Sequence, residues 1–148
     1  MSVSGLRQRR VSFTAALLCL VAGVAACTDN PGQPTTGQAP YSQTDLVVGT
    51  GAQAFSPSRI TVAYTGWLYD ASRPDGKGTQ FDTGAAFPFQ LGTNSVIRGW
   101  EQGVPGMRVG GQRRLVIPSD LAYGSAGRSP QIPPNAPLVF DITLISIP

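Results

Sequence analysis

Residues 60–68, ITVAYTGWL, decide the fold. Ile60, Val62 and Tyr64 alternate with Thr61, Ala63 and Thr65, the period of two that marks a half-buried strand. The same period returns in Leu138 to Ile147, where Leu138, Phe140, Ile142 and Leu144 share one face. Shorter strands are expected at Thr44–Val48, closed by Gly49-Thr50-Gly51, at Phe87–Leu91 and at Arg113–Ile117. One helix is expected among them. After Gly92, Asn94 or Ser95 can cap a turn or two from Val96 to about Gln102, ended by the Gly103 to Gly106 stretch. Tyr69 to Gln80, carrying Pro74-Asp75-Gly76 and Gly78, reads as a long exposed turn. Antiparallel strands around a single short helix place the chain in the α+β class.

Composition narrows the chemistry. The 148 residues include no His, which removes Ser-His-Asp and Cys-His nucleophiles and every His-bearing metal site. Glu101 is the only Glu and the Asp residues are scattered, so a hydrolase built on a carboxylate pair is a poor reading. The formal charge of +3 resides in Arg7, Arg9 and Arg10. From Thr28 onward Arg59, Arg73, Lys77, Arg98, Arg108, Arg113, Arg114 and Arg128 balance an equal number of acids. A neutral body gives no electrostatic reason to expect nucleic acid as a partner. No metal and no cofactor are expected.

The first residues read as an address. The three arginines precede an apolar run from Val11 to Ala26, shorter than the ~20 residues a membrane-spanning helix needs and of signal-peptide size. Val24-Ala25-Ala26-Cys27 resembles the lipobox of bacterial lipoproteins. That resemblance implies a signal peptide over 1–26, cleavage before Cys27 and lipidation of its sulfur. Cys19 would leave with the leader, so the mature chain would offer no thiol chemistry. Residues 27–43, rich in Pro, Gly, Gln and Thr, cannot bury enough apolar surface to order themselves and read as a flexible tether. One domain follows, over 44–148.

Two features of that domain point to a binding site. Pro118 to Pro137 is an irregular loop rich in Gly and Pro, and a loop of this length inside a small domain is usually functional. Tyr64, Phe81, Phe87, Phe89, Trp100, Tyr123 and Phe140 spread aromatic rings over every expected element. Such rings either fill a core or line a concave apolar pocket, and spacing alone leaves both open.

VAYTGWL at 62–68, FDTG at 81–84, VIRGWEQGVPGMRVGGQRRLVIP at 96–118, LAYGSAG at 121–127 and IPPNAPLVFDITL at 132–144 occur in order over about 100 residues. Together they resemble the FKBP-type peptidyl-prolyl cis-trans isomerases. The resemblance implies an antiparallel sheet of about five strands wrapped around one short helix, with a proline-ring pocket between them. Its substrate-binding residues would be Tyr64, Phe81, Phe87, Val96, Ile97, Trp100, Tyr123, Ile132 and Phe140, with Phe89 competing for the place of Phe87. Trp100 would be the floor, Ile97 would offer a backbone N–H, and Tyr123 would present its hydroxyl to a substrate carbonyl. Asp82 would orient the pocket, polarise the amide, or only tie a loop down; Asp82, Tyr123 and Ile97 are the candidate catalytic residues. The 14 residues between the YTG and FD motifs should bulge outward. Arg128 and Gln131 stand where familiar members often carry His and a bulky aliphatic.

The implied function is isomerisation of Xaa-Pro segments in exported proteins by a monomer. The protein would be held by its lipid on the outer face of a bacterial cytoplasmic membrane or in the periplasm. Macrolide inhibitors are expected to compete for the pocket. The rival reading is a non-catalytic chaperone or partner-docking module using the same pocket.

Overall fold

Strands β1 (Ser42–Val47), β2 (Arg59–Tyr69), β3 (Lys77–Gln90), β4 (Gln112–Ile117) and β5 (Leu138–Ser146) form a single sheet in the order β1-β4-β5-β2-β3. All four pairings are antiparallel. The computed structural model describes residues 39–148. Cys27, the leader before it and the segment to Gln38 lie outside the described residues. Among those described, no helix is long and apolar enough to cross a membrane.

The expected alternation places the core. Ile60 and Val62 of β2, Leu115 and Ile117 of β4, and Leu138, Phe140, Ile142 and Leu144 of β5 are all buried. Over them lies α1 (Arg98–Gly103), whose Trp100 is buried against the sheet. Two glycines set how closely the helix approaches. A Cβ on Gly99 would stand 2.5 Å from Ile117 Cγ2, and one on Gly103 would stand 2.6 Å from Leu115 Cδ2. Arg113, third of the inward set on β4, is buried without being apolar. Its guanidinium donates to both Asp45 oxygens, at 2.6 and 3.1 Å, and to the Gly103 carbonyl at 2.8 Å. It therefore satisfies a carbonyl at the C-terminal end of α1, where a cation is favoured. Packing begins ahead of β1: Ala39 is buried, and the Tyr41 hydroxyl donates to the Gly99 carbonyl at 3.1 Å.

Three expectations need correction. The helix begins at Arg98, two residues late, with Ile97 as its uncapped N-terminal boundary. The Ser95 hydroxyl is occupied locally, within 3.3 Å of the Gln90 carbonyl and 3.1 Å of the Thr93 hydroxyl, and Asn94 sits at φ +53° in the preceding turn. The short strand expected at Phe87–Leu91 is the end of a 14-residue strand starting at Lys77, so the exposed turn shrinks to residues 70–76. Of the 14 residues between the YTG and FD motifs, 67–69 and 77–80 thus extend the two strands of the β2–β3 hairpin, and 70–76 form its turn. Lys77 explains where the strand starts: its ammonium donates 2.6 Å to Asp141 on β5 and lies 4.1 Å from the Trp67 ring centroid. Asp141 also receives two bonds from Arg114, at 2.7 and 3.0 Å, so three strands are tied on the outer face.

Candidate active site

Where α1 crosses the sheet, a cavity of about 300 Å³ opens between β2, β3, β5, the helix entry and the 118–137 loop. That volume is at the lower end of small-ligand sites, ~300–1,000 Å³. Its walls bring together Tyr64, Phe81, Asp82, Phe87, Val96, Ile97, Trp100, Tyr123 and Phe140, from six stretches of chain.

The aromatic part is a cluster centred on Trp100. Tyr64 and Phe140 meet it edge-to-face, with ring centroids 5.1 and 5.2 Å away, and Phe87 does so at 6.2 Å. Phe81 stands edge-on to Phe140 at 5.6 Å. Such perpendicular contacts are favourable beyond the area they bury. Phe87 is 39% exposed and lies on the wall, whereas Phe89 is 8% exposed and packs beneath, 5.7 Å from Trp100. Trp100 is buried, and its Nε1–H meets no acceptor among the described residues.

Polar groups are few. The Tyr64 hydroxyl donates to Asp82 Oδ2 at 2.9 Å, and the other Asp82 oxygen accepts the Thr83 N–H at 2.9 Å. Burial, followed by that bond to a carboxylate, pushes the Tyr64 phenol up to about 12. Asp82 therefore fixes Tyr64 across the β2–β3 ladder while remaining on the cavity wall. Ile97 is extended, with φ −60° and ψ 149°, and its carbonyl accepts the Trp100 N–H at 2.9 Å. Its own N–H forms no hydrogen bond among the described residues.

Ile132 does not join this wall. It is buried and lines an adjoining recess with Phe81, Asp82, Arg128 and Gln131. There it exchanges two backbone bonds with Arg128, at 2.8 and 2.9 Å, and so closes the loop that carries Tyr123. Two wall residues escaped the sequence reading: Ser95 and Arg128. Nothing in their local pattern marks them. The one signal was that Arg128, in the loop of Tyr123, stands where familiar members of the resembled family often carry His. Among the described residues no cluster of three or more His, Cys, Asp or Glu is placed to hold a metal ion.

The arrangement is an aromatic slot with a phenol–carboxylate pair and an uncommitted N–H at its edge. It can enclose a small apolar ring and hydrogen-bond the amides beside it.

The family model for FKBP-type peptidyl-prolyl cis-trans isomerase matches residues 51–145. FK506-binding protein 4 of Dictyostelium discoideum is 48% identical over 104 residues, covering 69% of this chain but only 27% of that protein. The FK506-binding protein of Neisseria meningitidis serogroup A is 40% identical over 103 residues, covering 70% of this chain and 92% of its relative. The crystal structure of a peptidyl-prolyl cis-trans isomerase from Pseudomonas syringae pv. tomato superposes with a TM-score of 0.61 at 38% identity, covering 79% of this chain and 84% of that one. The stretch matched by the family model takes in β2, β3, β4, all but the last residue of β5, the helix and all the wall residues. The chain belongs to the family of FKBP-type peptidyl-prolyl cis-trans isomerases.

Proposed function

We propose that the protein isomerises Xaa-Pro bonds in exported polypeptides at a bacterial cell envelope, by favouring the twisted amide in its aromatic cavity. The observation that carries this reading is the Trp100-centred slot, large enough to admit a proline ring and walled mainly by aromatic side chains. No bond to carbon is made or broken. The barrier is the ~18–20 kcal/mol of amide resonance lost on rotation, which leaves uncatalysed exchange at tens to hundreds of seconds. A planar amide is more charge-separated than a twisted one, so a dry pocket disfavours the ground state relative to the transition state. Only such differential binding raises the rate. A thousandfold acceleration requires about 4 kcal/mol, within reach of desolvation, shape and one or two hydrogen bonds.

In this mechanism Trp100, Phe140, Phe81 and Phe87 enclose the prolyl ring, and Val96 adds aliphatic wall. The Ile97 N–H donates to one substrate carbonyl and the Tyr123 hydroxyl to another. Asp82 holds Tyr64 in place and puts a carboxylate close to the rotating amide. A macrolide presenting a twisted-amide mimic would compete for the same slot. The slot is complete within one chain, which favours a working monomer. The envelope location rests on the Arg-rich leader and Val24-Ala25-Ala26-Cys27, with residues beyond Cys27 serving as a tether.

Magnetisation-exchange NMR on a Leu-Pro peptide, with a chelator present, tests the catalytic part. Accelerated exchange supports it; binding without acceleration would assign the cavity to holding or docking. Mass spectrometry of the protein from membranes tests the anchor, which is wrong if Cys27 carries no acyl group.

A further inference from the structure

We propose that Arg128 makes the cavity selective for Xaa-Pro segments that carry an acidic side chain next to the proline; this inference rests on the isomerase reading above. The placement of Arg128 is built into the loop. Its backbone N–H donates to the Ile132 carbonyl at 2.8 Å, and the Ile132 N–H returns a bond at 2.9 Å. Ile132 is buried, so this pair anchors the base of the Arg128 side chain against the core. The guanidinium turns back along the loop, its carbon 5.9 Å from the Tyr123 ring centroid and Nη1 3.5 Å from the Tyr123 hydroxyl. From there it lines both the aromatic cavity and the recess beside Asp82.

Arg128, like Arg59, Arg98 and Arg108, has no anionic partner among the described residues, and it is the one cation of these that lines the aromatic cavity. Arg113 and Arg114 each hold a carboxylate with two hydrogen bonds, to Asp45 and Asp141. Arg128 forms no ion pair among the described residues, and its only side-chain hydrogen bond is the long one to Tyr123. A guanidinium has five N–H donors in a planar fork that matches a carboxylate, so most of the donors of this exposed side chain are uncommitted. Asp82 is the one carboxylate on the wall, and it already accepts bonds from Tyr64 and Thr83. Its residual negative charge turns an incoming acid away from its own side and toward Arg128. A polypeptide whose proline occupies the slot has its neighbouring side chains at this rim. An acidic one gains a charge-assisted pair there, and a basic one meets the cation. Exposed pairs of this kind are modest, so the expected preference is about two- to fivefold in kcat/KM.

The test compares peptides with Glu, Leu or Lys placed before or after the proline, in a protease-free exchange assay on wild type, Arg128→Gln and Arg128→Glu. Thermal unfolding confirms that the variants remain folded. The inference predicts Glu over Lys by about two- to fivefold at one of the two positions, a ratio that shrinks in about 0.5 M salt. The ratio should collapse in Arg128→Gln and invert in Arg128→Glu. Turnover with the same Glu-to-Lys ratio in all three proteins overturns it. So does an equal loss for every peptide in Arg128→Gln, which would mean that Arg128 acts only through Tyr123. No turnover of any peptide by folded wild type overturns the isomerase reading, and this inference with it.

Discussion

The Tyr64 hydroxyl donates a 2.9 Å hydrogen bond to the Asp82 carboxylate, joining a ring on β2 to an acid on β3 at the mouth of the cavity. The bond has a titration signature. With burial as the larger cause and the carboxylate as the second, Tyr64 ionises at about 12. In an unfolded chain it would ionise near ~10. The folded state binds this proton more tightly. Its contribution to stability is therefore complete below pH ~10 and is lost as pH rises through about 12. NMR of ring-labelled tyrosine should find one phenol titrating last. In Asp82→Asn it should move down but remain above its ordinary value, because burial persists.

Tyr123 bears on rate and little on folding. Its ring is half-buried in the loop, and its hydroxyl has the Arg128 contact at 3.5 Å as its one side-chain hydrogen bond. Tyr123→Phe should unfold at the wild-type temperature and lose ~0.5–1.5 kcal/mol of transition-state stabilisation, or about two- to twelvefold in kcat/KM. An unchanged kcat/KM would make the hydroxyl structural.

Gly66 lies under the wall. A Cβ there would stand 2.7 Å from both Phe140 Cε1 and Phe81 Cζ, two rings that line the slot edge-to-face. Gly66→Ala should cost ~1–3 kcal/mol through overpacking and should lower kcat/KM by displacing one of the rings. Unchanged unfolding and turnover together would show that these rings have room to move.

The strands were legible because alternation is a backbone property: Ile60 to Leu68 and Leu138 to Ile147 must put every second side chain inside. The start of β3 was hidden. Lys77-Gly78-Thr79-Gln80 is polar and glycine-bearing, and what holds it in register is Asp141, 64 residues away. The helix start was misplaced because Ser95, a good capping residue by type, spends its hydroxyl on the preceding turn. Most of the wall came from ordered motifs of a recognised family, since periodicity cannot tell a core ring from a pocket ring. Phe87 and Phe89 show this well: two residues apart on one face, one lines the slot and the other supports Trp100. Arg128 was legible only as a departure from the family pattern, because its place on the wall depends on a backbone pairing with Ile132 inside an irregular loop.

The central claim is that rotation is accelerated by a dry aromatic slot without proton transfer. The most direct test is kcat/KM for a Leu-Pro peptide as a function of pH, from about 5 to about 9, in the protease-free assay. General acid–base catalysis would impose a sloped or bell-shaped profile over that range. The account predicts a flat profile at a rate far above spontaneous exchange. A bell-shaped profile, or exchange at the uncatalysed rate by folded protein, would contradict it.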